Sequence, residues 1–105
     1  MTVGITLGNV KGFGVATVTI DPASVAAATT AEQTFTVPGL LVGDMVFVNK
    51  PSVTAGLGIA GCRVSAANTL AIAFVNATAG AVDPASESYS VLWIRPDASA
   101  TGVVI

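Results

Sequence analysis

Apolar and polar residues alternate with a period of two over much of the chain. "VATVTID" places Ala16, Val18 and Ile20 on one side and Thr17 and Thr19 on the other, the signature of a half-buried strand. "EQTFTVP" repeats it, with Phe35 and Val37 inward, Thr34 and Thr36 outward, and Pro38 as the stop. "TLAIAFVN" sets Leu70, Ile72 and Phe74 against Ala71 and Ala73. "ESYSVLWIRP" sets Tyr89, Val91 and Trp93 against Leu92 and Ile94. "DMVFVNK" is apolar on both faces, and "IAGCRVS" alternates less cleanly. Turn signals separate these runs: Pro38-Gly39, Gly43-Asp44, Lys50-Pro51, Ala67-Asn68 and Arg95-Pro96. Short strands with punctuation between them predict an all-β sandwich or barrel.

One tetrapeptide, Asp-Pro-Ala-Ser, occurs at 21–24 and again at 83–86. The first copy could open a short helical turn, since Asp caps helices, Pro suits the first helical position and alanines follow. The second cannot, because it runs within a few residues into the strongly β segment around Trp93. Both are read as strand exits, in which Asp accepts local backbone hydrogen bonds and Pro withholds a ladder donor. The flanking regions do not align, so no duplicated domain is expected.

Composition adds a second constraint. Of the 105 residues, 52% are hydrophobic and only 10% charged, whereas a well-solvated small domain carries roughly 25–35% charge on its surface. Much of the exterior is therefore expected to be covered by something else. A membrane is a poor cover: Ser65, Asn68, Thr69, Asn76 and Thr78 interrupt the longest uncharged run. Nucleic acid is no better, because the net charge is -2 and the four basic residues are scattered. The N-terminal stretch lacks the basic start and compact apolar core of a signal peptide, so synthesis in the cytoplasm is expected. Strands apolar on both faces ("MVFV", "LAIAFV", "VLWI") point instead to subunit contacts on an outer face.

Candidate chemistry is sparse. There is no His and one Cys, which leaves no zinc cluster and no Ser–His–acid relay. Cys62 reads as a small apolar core residue. Asp83 and Glu87 are close in sequence but read as a turn residue and a solvated strand start. "GLLVGD" and "GLGIAG" lack the Lys-Ser/Thr of a phosphate loop. Asn76-Ala77-Thr78 matches a glycosylation acceptor, which matters only in a eukaryotic secreted protein. Phe35, Phe47, Phe74, Tyr89 and Trp93 are expected in the core. No enzyme, cofactor or metal is expected.

The segments "EQTFTVPGLLVGD" and "RVSAANTLAIAFVNATAG", with the closing aromatic strand, resemble a pattern in small virion structural proteins of tailed bacteriophages, across roughly residues 17–96. The resemblance implies an all-β fold, a single antiparallel β-sandwich of jelly-roll type with extended arms. It implies a capsid decoration (cement) protein that sits on the virion surface, binds the major capsid protein and associates with itself as a homotrimer. The alternative is a head-fibre or tail-fibre domain that recognises a host-surface glycan. The chain then divides into an N-terminal arm (1–12), a β-sandwich (13–96) and a C-terminal tail (97–105). The candidate subunit or shell contacts are Phe13 in the Gly-punctuated N-terminal segment and Val103, Val104 and Ile105 at the apolar end.

Overall fold

The computed structural model describes residues 9–97. They form β1 (Val10–Ile20), β2 (Thr29–Thr36), β3 (Met45–Asn49), β4 (Leu57–Ala66), β5 (Thr69–Asn76) and β6 (Glu87–Pro96). The strands make two three-stranded antiparallel sheets, ordered β1-β6-β3 and β2-β5-β4. The described chain is all-β, with the two layers of a small β-sandwich. Val103, Val104 and Ile105 lie outside the described residues, as do the first eight residues of the expected N-terminal arm.

Two ladders organise the rest. β1 pairs with β6 from Val10 opposite Pro96 to Ile20 opposite Glu87. β2 pairs with β5 from Thr29 opposite Asn76 to Thr36 opposite Thr69. Between them, Val25 and Val82 exchange backbone hydrogen bonds of 2.7 and 3.0 Å. β1 and β2 thus pair with β6 and β5 as one long two-stranded ribbon, interrupted on both sides of that bridge and folded over so that its two ends lie in different sheets, each of which gains a third strand, β3 or β4.

The repeated tetrapeptide sits at this fold. Residues 21–24 connect the end of β1 to Val25, and residues 83–86 connect Val82 to the start of β6, so the two copies run antiparallel beside each other. Pro22 and Pro84 are both buried, while the neighbouring Asp and Ala-Ser residues of each copy are exposed. A proline in each arm removes ladder donors where the ribbon must leave one sheet for the other. Only the first copy is a strand exit; the second is the entry to β6. Neither Asp21 nor Asp83 has a side-chain hydrogen bond among the described residues, so the prolines and not the carboxylates carry the device. No helical turn follows Asp21. Gln33 supports the first copy instead, accepting from the Ala23 N–H (2.8 Å) and donating to the Ala23 carbonyl (2.9 Å).

The core lies between the sheets. Tyr89 and Val91 from β6, Ile20 from β1 and Val46 from β3 meet Leu70, Ile72 and Phe74 from β5 and Val64 from β4, with Val25, Val37 and Leu40 filling in from the connections. These are the inward positions that the alternation predicts for β1, β5 and β6. Two details differ from the sequence reading, and a third explains it. Phe47 points outward, because Val46 and Val48 take the inward positions of β3. Pro96 ends β6 and pairs with Val10 in place of forming a turn with Arg95. The irregular alternation of β4 reflects register shifts at Ile59/Gly61 and Val64/Ala66.

Polar side chains fasten the ends. Asn76 is buried at the end of β5; its Nδ2 donates to the carbonyls of Val25 (3.0 Å) and Gly80 (2.9 Å). Its Oδ1 accepts from the Thr78 N–H (2.9 Å) and hydroxyl (2.7 Å). The apparent glycosylation acceptor is therefore a structural hub that ties the ribbon's bend to the loop after β5. Arg95 makes a two-pronged bond to buried Asp44 (2.8 Å on each arm), donates to the Gly39 carbonyl and lies over the Trp93 ring at 5.2 Å.

Candidate docking face

The two outer faces of the sandwich differ sharply. On the β2-β5-β4 sheet, the outward positions of the central strand are Ala71 and Ala73, flanked by Thr30, Glu32 and Thr34 on β2. Arg63 on β4 reaches Glu32 through two hydrogen bonds of 2.9 Å. The guanidinium bonds also hold the Glu32 carboxyl below its ordinary range. The small alanines make room for a charged pair spanning from one edge strand to the other, and Ala71 is fully buried on the outward side. This face is wet, as one face of an antiparallel sheet usually is.

The outer face of the β1-β6-β3 sheet is apolar over two rows, and dry in the sense of lacking polar side chains there. Its register aligns Phe13 with Ile94 and Ile94 with Met45; two residues along, Val15 aligns with Leu92 and Leu92 with Phe47. These six side chains form two adjacent rows across the full width of the sheet. Phe13 is 59% exposed, Val15 68%, Met45 54%, Phe47 62% and Leu92 36%. Weighted by those exposures, and with an aromatic side chain burying some 150–250 Å², the patch offers about 500 Å² of apolar surface. That lies in the upper part of the roughly 300–600 Å² range of the largest patch on a typical monomer, a patch that is often functional.

Its borders are defined. The next row, Thr17, Ser90 and Asn49, is polar throughout. At the opposite end, Lys11, Leu41, Val42, Arg95 and Pro96 line a shallow hollow, with Leu41 and Val42 exposed. The turn that presents Leu41 and Val42 is fixed from within: Asp44 accepts from the Leu41 N–H (3.0 Å) and donates its own N–H to the Leu41 carbonyl (3.0 Å). Gly43 supplies the positive φ (+102°) that this turn requires. Hydrogen bonds from Arg95, and then from the Leu41 N–H, hold the Asp44 carboxyl below the usual carboxylate range against the cost of its burial.

Underneath the same sheet, Trp93 lies against Gly12 and Gly14. A Cβ on Gly14 would come within 2.9 Å of the indole. The glycines let the indole lie flat on the inner side of β1, so the outward projection of Phe13 and Val15 rests on a filled layer.

Lys50, Ser52 and Glu87 pair among themselves. Lys50 donates to Glu87 (2.8 Å), to Thr54 and to the Ser52 carbonyl, and the Ser52 hydroxyl donates to Glu87. This clamps the β3–β4 connection to the start of β6, and Glu87 forms no pair with Asp83. Those bonds, from Lys50 first and Ser52 second, lower the Glu87 carboxyl from its ordinary value. Cys62 is half-buried, its thiol donating to the Val46 carbonyl (3.3 Å), and burial pushes it up from the usual thiol range. Among the described residues, no group of three or more His, Cys, Asp or Glu is placed to hold a metal ion. No helix among them is long and apolar enough to cross a membrane.

Of the expected contact residues, Phe13 stands on the dry face. Sequence reasoning found the outward pair Leu92 and Ile94 but placed Phe47 in the core and did not single out Val15 or Met45. The signal was present in the two-faced apolar runs of β3 and β6; only the cross-strand register shows that their outward residues join Phe13 and Val15 in one patch. Comparison of the chain with family models, with curated proteins and with solved structures finds no match.

Proposed function

We propose that this chain is a non-enzymatic assembly protein that acts by permanent apolar docking, in the setting its sequence resembles: decoration of a phage head shell, with the major capsid protein as its larger partner. The observation that carries the reading is the contrast between the two outer faces. One sheet hides its alanines under a charged pair, and the other leaves about 500 Å² of apolar side chains in contact with water unless another chain covers them. Burial of such a surface is worth on the order of 10 kcal/mol at ~25 cal/mol per Å², before association and ordering costs. A surface of this composition suits a lasting contact better than a salt-tuned transient one.

The strand order supports a jelly-roll reading of the fold. Nested pairs β1·β6 and β2·β5, joined through one bridge and rolled so that consecutive strands alternate between sheets until β4, are what a folded-over two-stranded ribbon produces. We read the fold as an abridged jelly roll of six strands, with the residues before and after it as candidate arms.

The glycan-binding alternative fits less well. Sugar sites pair an aromatic platform with convergent polar groups, whereas the neighbours of Phe13 and Phe47 across the sheet are Ile94 and Leu92. The test is location. An antibody to the chain should label the heads of intact phage particles made from a genome that encodes it. Labelling confined to tail fibres would favour the glycan reading, and absence from purified particles would overturn the virion assignment.

A further inference from the structure

We propose that the dry face is covered by a second copy of this chain, the two molecules packing β1-β6-β3 sheet to β1-β6-β3 sheet about a two-fold axis. The inference rests on the reading of that face as a docking surface and names its occupant.

Area is the first support. About 500 Å² from each copy gives a total near 1,000 Å², the threshold at which a specific interface becomes plausible. The hollow beside Lys11, with exposed Leu41 and Val42, adds apolar area at one end.

Shape is the second. The two phenyl groups occupy diagonally opposite corners of the two-row, three-strand grid: Phe13 on β1 in one row and Phe47 on β3 in the other. A two-fold axis in the interface, parallel to β6, places Phe13 against the other copy's Met45 and Val15 against its Phe47. An axis perpendicular to the strands places Phe13 against Val15 and Phe47 against Met45. Either way each phenyl meets an aliphatic side chain, so the patch is complementary to itself, as an isologous contact demands.

Charge and topology complete the case. None of the six residues is ionisable, and Lys11, two residues beyond the Phe13 corner of the grid, is kept apart from its counterpart by either axis. A threefold arrangement, which the resemblance implies, needs two different surfaces that fit each other. Between the two outer faces, only one is apolar; the other carries the Glu32–Arg63 pair.

The test uses the full chain. Sedimentation equilibrium from low to high micromolar concentration should give a mass near twice 10.4 kDa. Leu92→Lys and Phe47→Asp each place a charge in the patch without touching the core and should weaken association at least ~100-fold. Thr34→Lys on the wet face should leave it unchanged. Isotope-filtered NMR on mixed labelled and unlabelled wild-type chains needs no variant, and should show intermolecular contacts from the Phe13 and Phe47 rings to Val15 or Met45 methyl groups. A monomer throughout, a trimer, or a dimer indifferent to both patch variants would overturn the proposal. A monomer that labels phage heads and loses the labelling in Leu92→Lys would remove the second copy and keep the docking reading. A dimer absent from virions would do the reverse.

Discussion

Replacing Asn76 by Ala should be the most damaging single polar substitution in this fold. Its side chain makes four hydrogen bonds of 2.7–3.0 Å in a buried site, two donated to carbonyls and two accepted from Thr78. Each bond contributes about 1 kcal/mol net, and groups left buried without a partner cost more. Loss of the amide should therefore destabilise the domain by about 3–4 kcal/mol, a large part of the ~5–15 kcal/mol that such domains possess. For a chain of this length that corresponds to a drop in Tm of roughly 15–25 °C. Asn76→Asp keeps the shape but turns both donors into acceptors facing the Val25 and Gly80 carbonyls. At neutral pH it should be at least as harmful. Urea titration followed by Trp93 fluorescence measures both, with Thr34→Ala as an exposed control. A loss below ~1 kcal/mol for Asn76→Ala, or a stable Asn76→Asp, would refute the claim that this hub holds the bend of the ribbon.

Other outcomes follow from single groups. Tyr89 is fully buried and its hydroxyl has no hydrogen-bond partner among the described residues, so Tyr89→Phe should be neutral or stabilising by ~1 kcal/mol in the same titration; a clear loss would mean that the hydroxyl is bonded. Asp44, Glu32 and Glu87 all have folded-state carboxyls lowered by hydrogen bonds to Arg95, Arg63 and Lys50. Groups lowered in the folded state stabilise it above their unfolded pKa, near 4, and lose that contribution as pH falls through the folded value. Thermal melts should therefore hold level from neutral pH to about pH 5 and decline below about pH 4, less steeply in Asp44→Asn. Gly14→Val should lower Tm by displacing the Trp93 indole and should raise the exposure of Trp93 to a quencher, while Gly61→Ala, where a Cβ meets nothing within 4 Å, should change little.

The inward faces of β1, β5 and β6 were legible in the sequence because one-sided burial imposes a period of two. Phe47 was not, because β3 is apolar on both sides and the pattern alone cannot choose which side faces the core. The Asp-Pro-Ala-Ser copies were legible as interruptions, but their adjacency depends on a non-local pairing, Val25 with Val82, that no local signal carries. The dry face was legible only as an excess of apolar residues. Its assembly from β1, β6 and β3 follows from a register set by the whole ribbon. Asn76 shows the converse: a local tripeptide match to a modification site has its side chain committed to the fold.

In the working protein the outer face of the β1-β6-β3 sheet should be hidden from water. Met45 lies on that face and is a natural reporter, since its thioether is oxidised by peroxide in proportion to its exposure. The rate of Met45 sulfoxide formation, followed by mass spectrometry, should be several-fold slower in concentrated wild-type chain than in Leu92→Lys at the same concentration, and should rise towards the variant's rate on dilution. Equal rates at every concentration would mean that no second chain covers this face.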